Sequence, residues 1–561
     1  MFHASSPGIS PDCRRRRSGR WMRLLTAIPV ISSVLAGISL TGVPAASAGI
    51  TETVIVTASG SLSAVTAVLQ AGGNVLTTFH IINGVEATIL TAAEPVLDAL
   101  PGIAVSPDTQ VSVQGAADST GPHPPADVFR QATGADQLAA SGDTGQGVTV
   151  AVLDTGIANL PDFAGRLAGG VDLTGAGKPY QDSYGHGTFV AGLIAGDGSS
   201  LGGQGGPGGP DQGEAPGARL VSVKVAGASG TTDLATLILG LQWAADHQDQ
   251  YGISVLNVSL GYRPAFSSVL DPLDQAVQAV WNHGITVVVS AGNSGPFNGT
   301  ILSPADDPLV VTVGALDDRG TPDPSDDEMN DFSAAGPTSP DGWAKPDLVA
   351  SGRSLVSLAV PGSTIYRQHP GSVVGTAGFA GSGTSFSAAI VSGAAALILA
   401  ADPGISPSEV KARLLGTAAQ GPVGNPFVDG HGALDAEAAA TSGPLDLEQS
   451  AAGLLTTLFG RTVSLAPDVR PDDTWNAGLW TGLDTGQPPS GGPDWDGLNW
   501  NGDDWNGGVW TGRAWNDGWW AGASWNSSEW TGRAWNDSGW AGSAWAGTAW
   551  AGVSWNSSAW S

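Results

Sequence analysis

Four residues in glycine-flanked contexts have the right chemistry to act together: Asp154 in VTVAVLDTG, His186 in DSYGHGTFVAG, Asn293 in SAGNSG and Ser385 in GSGTSFSAAIVSG. Acyl transfer by a serine needs a base to take the hydroxyl proton and a carboxylate to fix the imidazole tautomer. It also needs a neutral donor to meet the oxyanion. Ser385, His186, Asp154 and Asn293 supply these roles in turn. Each alone has an ordinary explanation: Asp154 a turn cap, His186 a satisfied core histidine, Asn293 a turn residue, Ser385 a helix N-cap. Their joint occurrence on one structural pattern favours the chemical reading.

That pattern is an alternation of strands and helices. VTVAVL (148–153), RLVSVKV (219–225), ISVLNVSL (253–260), ITVVVS (285–290) and LVVTVGA (309–315) are short, valine-rich apolar runs. Helical patterns lie between them at 233–247 and 269–283. Near-continuous apolar strands alternating with helices predict an α/β fold with a doubly wound, mostly parallel sheet covered on both faces. Functional groups gather at the carboxyl ends of such strands. Asp154 stands just beyond the first strand, and Asn293 follows ITVVVS. From Ser385 the run SFSAAIVSGAAALILA holds neither charge nor proline, which predicts a helix buried on all faces. Gly381-Ser382-Gly383 lets the chain turn into it, so Ser385 falls in the first turn, where free N–H groups favour developing negative charge.

The chain order Asp, His, Ser is that of subtilisin, and residues 127–442 resemble the subtilisin-like serine proteases. The resemblance rests on VAVLDTGI, DSYGHGTFVAG, NVSLG, SAGNSG and GSGTSFSAAIVSG, supported by EAPGARLVSVKV, FSAAGPT, KPDLVASG and GHGALDAEAA. It implies a secreted serine endopeptidase with Asp154, His186 and Ser385 as triad and Asn293 with the Ser385 N–H as oxyanion hole. Ser259, Leu260 and Gly261 would form a backbone edge that an extended protein or peptide substrate joins as a strand. No cofactor is implied for catalysis. Structural calcium stays open: Asp162 matches an acidic ligand of some members, whereas SSLGGQGGPGGPDQGE does not align with their loop. The chain also departs from the family where Ala389-Ile390 replaces the usual Pro-His pair, a difference in helix packing.

Residues 1–48 read as a signal peptide, with a basic region from Arg14 to Arg23, the apolar LLTAIPVISSVLAGISL and a small-residue site at Ala46-Ser47-Ala48. Removing them leaves 16 basic against 50 acidic residues, a net −34, which argues against nucleic acid as a partner. No later stretch is long and apolar enough to span a bilayer. The single cysteine, Cys13, lies in the leader, so the mature chain has no thiol chemistry. Residues 49–126 read as propeptide and linker. VIVTAS, LSAVTAVLQAGG, FHIINGVEATIL, AAEPVLDALPG and VSVQG give the βαββαβ order of a ferredoxin-like α+β unit. AADSTGPHPPAD follows as an exposed linker. The resemblance implies that this unit assists folding and inhibits the enzyme until it is cut.

Beyond a linker at 443–474, residues 475–561 form a tryptophan-rich tail of period five. Trp occurs at 475 and 480 and from 495 through 560, with Trp519 extra. A five-residue period suits stacked coils or an extended repeat better than a helix face. Its aromatic faces suit cell-wall polymer or polysaccharide as partner, which would make the secreted protein cell-wall associated. Two rival chemistries are weaker. Asp-Thr-Gly at Asp143, Asp154 and Asp484 does not form the two similar halves of an aspartic protease. Ser259 lacks the G-x-S-x-G of an α/β-hydrolase elbow. A non-enzymatic surface- or polysaccharide-binding protein on the same scaffold is the alternative function, and the intact triad weighs against it.

Overall fold

The computed structural model describes residues 50–59, 62–117, 128–201 and 212–445, with short strands beyond. The leader, residues 118–127 of the linker, most of the Gly-rich loop after the His186 helix and most of 443–474 lie outside the described residues.

The N-terminal unit is a four-stranded antiparallel sheet of β1 (Thr51–Ala58), β2 (Asn74–Phe79), β3 (Gly84–Leu90) and β4 (Ile103–Pro107), in the order β2-β3-β1-β4. Helices Ala64–Gln70 and Glu94–Asp98 follow β1 and β3. Val54, Val56, Ala67, Val68, Ala87, Ile89 and Leu97 make its own small core. The sequence expectation used VSVQG as the closing strand. In the structure IAVSP closes the sheet instead, and β5 (Gln110–Val113) leaves it. Two short apolar runs, one on each side of the Pro107–Asp108 corner, follow the second helix, and only the first joins this sheet.

The larger unit is built on a sheet of β7 (Thr149–Asp154), β8 (Leu167–Asp172), β9 (Arg219–Lys224), β11 (Ile253–Val258), β13 (Thr286–Ser290), β14 (Val311–Asp317), β15 (Glu328–Met329) and β16 (Leu348–Ser351). Their order is β15-β14-β13-β11-β7-β9-β8, with β16 also paired to β14. Every pair is parallel except β14–β15. From β7 the chain crosses to β8 at one edge and returns to β9 beside β7, then runs outward through β11, β13 and β14 on the other side. The carboxyl end of β7 is therefore the topological switch point. β7 is buried along its whole length. Successive residues of a strand face opposite ways. Leu153 packs at Gly240 of the helix Leu234–Asp246, while Asp154 turns toward the helix His186–Ala195.

The apolar run around Ser385 forms the helix Thr384–Ala401, buried from Thr384 through Leu399. It is long and apolar enough to cross a membrane, but it serves as the core helix. It packs against β11, β13, β14, β16 and the helix His186–Ala195. Alanine, glycine and serine dominate it because neighbours crowd every side, and a small residue lets their backbones approach.

The N-terminal unit is seated on the helix Leu234–Asp246 at both ends. At the helix start, Asp108 Oδ1 accepts from Ala235 N at 3.0 Å and Thr109 O accepts from Leu234 N at 3.0 Å. Near its end, His80 N donates to Gln242 Oε1 at 2.9 Å, and His80 Nε2 lies 2.9 Å from Asp246 Oδ1. Phe79, Ile82 and Val111 join the core of the larger unit.

In the tail, two-residue strands pair in parallel register. Trp510, Trp530 and Trp550 are successive partners, as are Trp515, Trp535 and Trp555. Trp525 pairs with Trp545, and Trp500 with Trp515. All but the last of these pairings span twenty residues, or four five-residue units.

At the base of the main sheet, Asp347 is fully buried between Lys345 Nζ at 2.7 Å and Lys411 Nζ at 3.1 Å. Burial pushes its carboxyl up, but the two ammonium charges outweigh it and hold the group at about 2, below the ordinary 3.8. A depressed carboxylate stabilises the fold above its unfolded pKa, and that contribution is lost as pH falls from 3.8 through 2. Asp347→Ala removes the buried counter-charge between two ammonium groups and should cost about 3–5 kcal/mol. Denaturant unfolding at neutral pH checks this. The gap between variant and wild type should narrow toward pH 2.

Candidate functional site

Asp154 ends β7 and is fully buried. Both of its carboxylate oxygens stand 2.9 Å from His186 Nδ1. His186 opens its helix after Gly185, and the start of that helix is held by a second buried carboxylate. Asp182 Oδ1 accepts from Gly185 N at 2.7 Å, Tyr184 N at 3.1 Å and Thr155 Oγ1 at 2.8 Å, and Oδ2 accepts from Thr188 N at 2.8 Å. Burial raises the Asp182 carboxyl, and the Gly185 and Thr188 donors counter this. Thr155 Oγ1 also accepts from Gly187 N at 2.9 Å, tying the exit of β7 to the helix. Neither Asp182 nor Thr155 was singled out by sequence reasoning. The available signal was an aspartate ahead of the helix start in DSYGHG, a usual N-terminal marker.

Ser385 lies in the first turn of its helix, one residue after Thr384, with Gly383 as the flanking cap residue. Its Oγ is turned to Ser259 O at 3.4 Å, and Ser259 Oγ donates to Ser385 O at 3.3 Å. His186 Nε2 is buried and has no hydrogen-bond partner among the described residues.

Asn293 is oriented by a residue the sequence reading left without a role. Thr384 donates to Asn293 Oδ1 from its N–H at 3.0 Å and its hydroxyl at 2.9 Å. The amide nitrogen is thereby turned the other way, to Gln114 O at 2.6 Å. Ser385 N donates to the same carbonyl at 3.3 Å. Gly383 makes room for it, because a Cβ there would meet Gln114 O at 2.7 Å and Gly115 Cα at 2.9 Å.

The chain thus threads its own residues through this cleft. β5 lies between β10 (Thr231–Asp233) and β12 (Leu260–Gly261), antiparallel to both. Leu260 pairs with Val113 and Gly261 with Ser112, and Gln114 N donates to Ser259 O at 3.0 Å. Ser259, Leu260 and Gly261 therefore form one edge of the cleft. The opposite edge, where Val113 N reaches Gly230 O at 3.1 Å, was not anticipated. Past Gly115 the chain stays extended. Strands β17 (Leu355–Leu358), β18 (Val373–Val374) and β19 (Gly378–Ser382) form a small antiparallel sheet, and β6 (Ala116–Ala117) pairs with β19. The Gln114–Gly115 peptide is consequently gripped on both sides. Its carbonyl faces two donors, and Gly115 lies against the His186 ring.

Asp162, the calcium-ligand candidate, is buried beside Arg166, and its Oδ1 accepts from Ser200 N at 3.1 Å. Asp162 Oδ2 is buried with no hydrogen-bond partner among the described residues, and most of the loop on which the calcium expectation rests lies outside them. Among the described residues no group of three or more His, Cys, Asp or Glu is disposed to hold a metal ion.

The subtilase family model matches residues 145–433. Serine protease AprX of Bacillus subtilis (strain 168) is 40% identical over 318 residues, covering 55% of this chain and 70% of AprX. Subtilisin Savinase of Lederbergia lenta is 36% identical over 298 residues, covering 53% of this chain and 92% of that protease. Among solved structures, fervidolysin of Fervidobacterium pennivorans superposes with a TM-score of 0.56 at 24% identity. That match covers 71% of this chain and 62% of fervidolysin, and it shares the fold. With the matched span running from just before Asp154 to beyond Ser385, the chain belongs to the subtilase family and is a serine-type endopeptidase.

Proposed function

We propose that the chain is a secreted endopeptidase using Ser385, His186 and Asp154 through an acyl-enzyme, made as a precursor that cuts itself between Gln114 and Gly115. One observation carries this reading: the Gln114 carbonyl lies 2.6 Å from Asn293 Nδ2 and 3.3 Å from Ser385 N, while Gly115 abuts His186. Ser385 Oγ turns from Ser259 O to attack the Gln114 carbonyl carbon and passes its proton to His186 Nε2. Asp154 steadies the imidazolium through Nδ1. The C–N bond breaks as His186 protonates the departing Gly115 nitrogen, and water then releases Gln114 from the serine by the same base. Asn293 and the Ser385 N–H hold the negative oxygen in both steps, aided by the start of the helix Thr384–Ala401. Protein substrates would follow β5 between β10 and β12. The seating of the N-terminal unit supports its role as an inhibitor held in the cleft until it is released.

Export is supported by the leader pattern at 1–48. The tail is read as a stacked-coil module for cell-wall or other insoluble polysaccharide, supported by its twenty-residue parallel register. The non-enzymatic alternative has no observation in its favour.

Wild-type protein should yield a mature N-terminus at Gly115, read by N-terminal sequencing. Ser385→Ala should keep residues 49–114 attached when made in a protease-free host. Equal processing of the two proteins would count against self-cleavage. Asn293→Ala should lower kcat by about 10²–10³ with KM little changed. Full turnover in a folded variant would leave Asn293 as a turn residue. A chain ending at Ser442 should hydrolyse a small peptide as the full chain does but fail to co-sediment with insoluble cell wall. Full-length Ser385→Ala should co-sediment.

A further inference from the structure

β11 runs through the apolar core, yet near its carboxyl end it carries an amide, Asn257, which is fully buried. Within the sheet Asn257 stands between Val152 of β7 and Val288 of β13. A buried amide costs stability unless both of its ends are hydrogen-bonded. Here both are. Ser392 Oγ donates to Asn257 Oδ1 at 3.0 Å, and Asn257 Nδ2 donates to Ser259 Oγ at 2.9 Å. Ser259 Oγ donates in turn to Ser385 O at 3.3 Å. Ser259, Ser385 and Ser392 are as fully buried as Asn257. Asn257 and Ser259 point the same way because successive strand residues alternate, and Ser385 and Ser392 lie about two helical turns apart. The relay therefore leaves the core helix at Ser392, crosses to the exit of β11 and returns to the residue that carries the hydroxyl. What it fixes is the Ser259 carbonyl. That one oxygen lies 3.4 Å from Ser385 Oγ and accepts from Gln114 N at 3.0 Å. An apolar residue at 257 would match the flanking valines better, and such breaches of local preference are expected where function requires them.

We propose that Asn257 is a positioning residue for peptide-bond cleavage: through Ser259 it sets the distance between Ser385 Oγ and the residue ahead of the scissile bond. This rests on the reading of Gln114–Gly115 as the bound peptide and adds a residue that touches neither substrate nor reacting atoms. Ser392 is the far end of the same relay. A displacement of about 1 Å at the reacting groups costs about 10²-fold in rate. Asn257→Leu keeps a similar volume and removes both hydrogen bonds, so kcat/KM should fall by roughly 10–100-fold.

The test compares the peptide VSVQGAAD with the same peptide methylated on the main-chain nitrogen of Gln, mass spectrometry locating the cut. Methylation removes the donor that Ser259 O accepts. Wild type in its processed form should cleave the unmodified peptide after Gln at least about 5-fold more efficiently, as loss of one hydrogen bond implies. Asn257→Leu should bring that ratio toward one, because a displaced Ser259 carbonyl no longer serves the donor. A residue that merely packs the core would lower both rates alike and leave the ratio where it was. Ser392→Ala, which leaves Asn257 Nδ2 on Ser259, should give an intermediate ratio. It carries the comparison should Asn257→Leu fail to fold or to be processed. An unchanged ratio in a folded, processed variant would overturn the proposal, as would equal cleavage of the two peptides by wild type. Casein digestion by wild type tells this failure from those beneath it. Casein cut while the unmodified peptide is not cleaved after Gln would refute the Gln114–Gly115 register and this inference with it. Casein left intact by purified wild type would refute the catalytic reading and everything resting on it.

Discussion

A helix buried on every side has only its ends available for chemistry, and this constraint governs the molecule. The helix Thr384–Ala401 runs through the core beside β11, β13, β14 and β16, and its first turn emerges where Gln114 O arrives. Its N–H groups cannot be satisfied by water there, so each must find a defined acceptor. Ser385 N points to Gln114 O, while Thr384 N goes to Asn293 Oδ1 and so fixes the opposite end of that amide. Two donors that converge on one oxygen thus follow from how a buried helix start is capped. Their positions are set by packing far from the cleft, which is why they need little reorganisation as charge develops.

A similar arrangement recurs at the start of the helix His186–Ala195. There the acceptor is the Asp182 carboxylate, which gathers three backbone N–H groups and the Thr155 hydroxyl. The charge is far from solvent, and its donors compensate the desolvation. Asp154 and Asp182 lie on either side of Thr155 in this network, one holding the imidazole and the other holding the helix that carries it. Loss of the second would disturb the first through the geometry of that helix start.

Much of this was legible in the sequence because the relevant signals are local. A valine-rich strand ending in Asp-Thr-Gly, and a charge-free run of small residues after Gly-Ser-Gly, each determine where one side chain emerges. The sheet order was legible only as a class, since parallel pairing joins residues far apart in the chain. What stayed hidden depends on partners chosen in space. Thr384 reads as one more residue of a motif until its hydroxyl is seen on Asn293. VSVQG reads as the last strand of the N-terminal sheet, because periodicity cannot say which of two edges a strand will join. β10, the second wall of the cleft, is three residues of TTD without an apolar pattern.

The seating of the N-terminal unit has a kinetic consequence. Its own core is small, and it lends Phe79, Ile82 and Val111 to the larger core. A unit of that size gains much of its stability from its host. Were the link after Gln114 cut as proposed, each transient detachment would expose those three side chains and remove the contacts at both ends of the helix Leu234–Asp246. Departure of the fragment and its unfolding then become coupled events. The interval between cutting and full exposure of the cleft would be timed by the conformational lifetime of a small sheet, so substitutions within β1–β4 could lengthen or shorten it while leaving the cleft untouched.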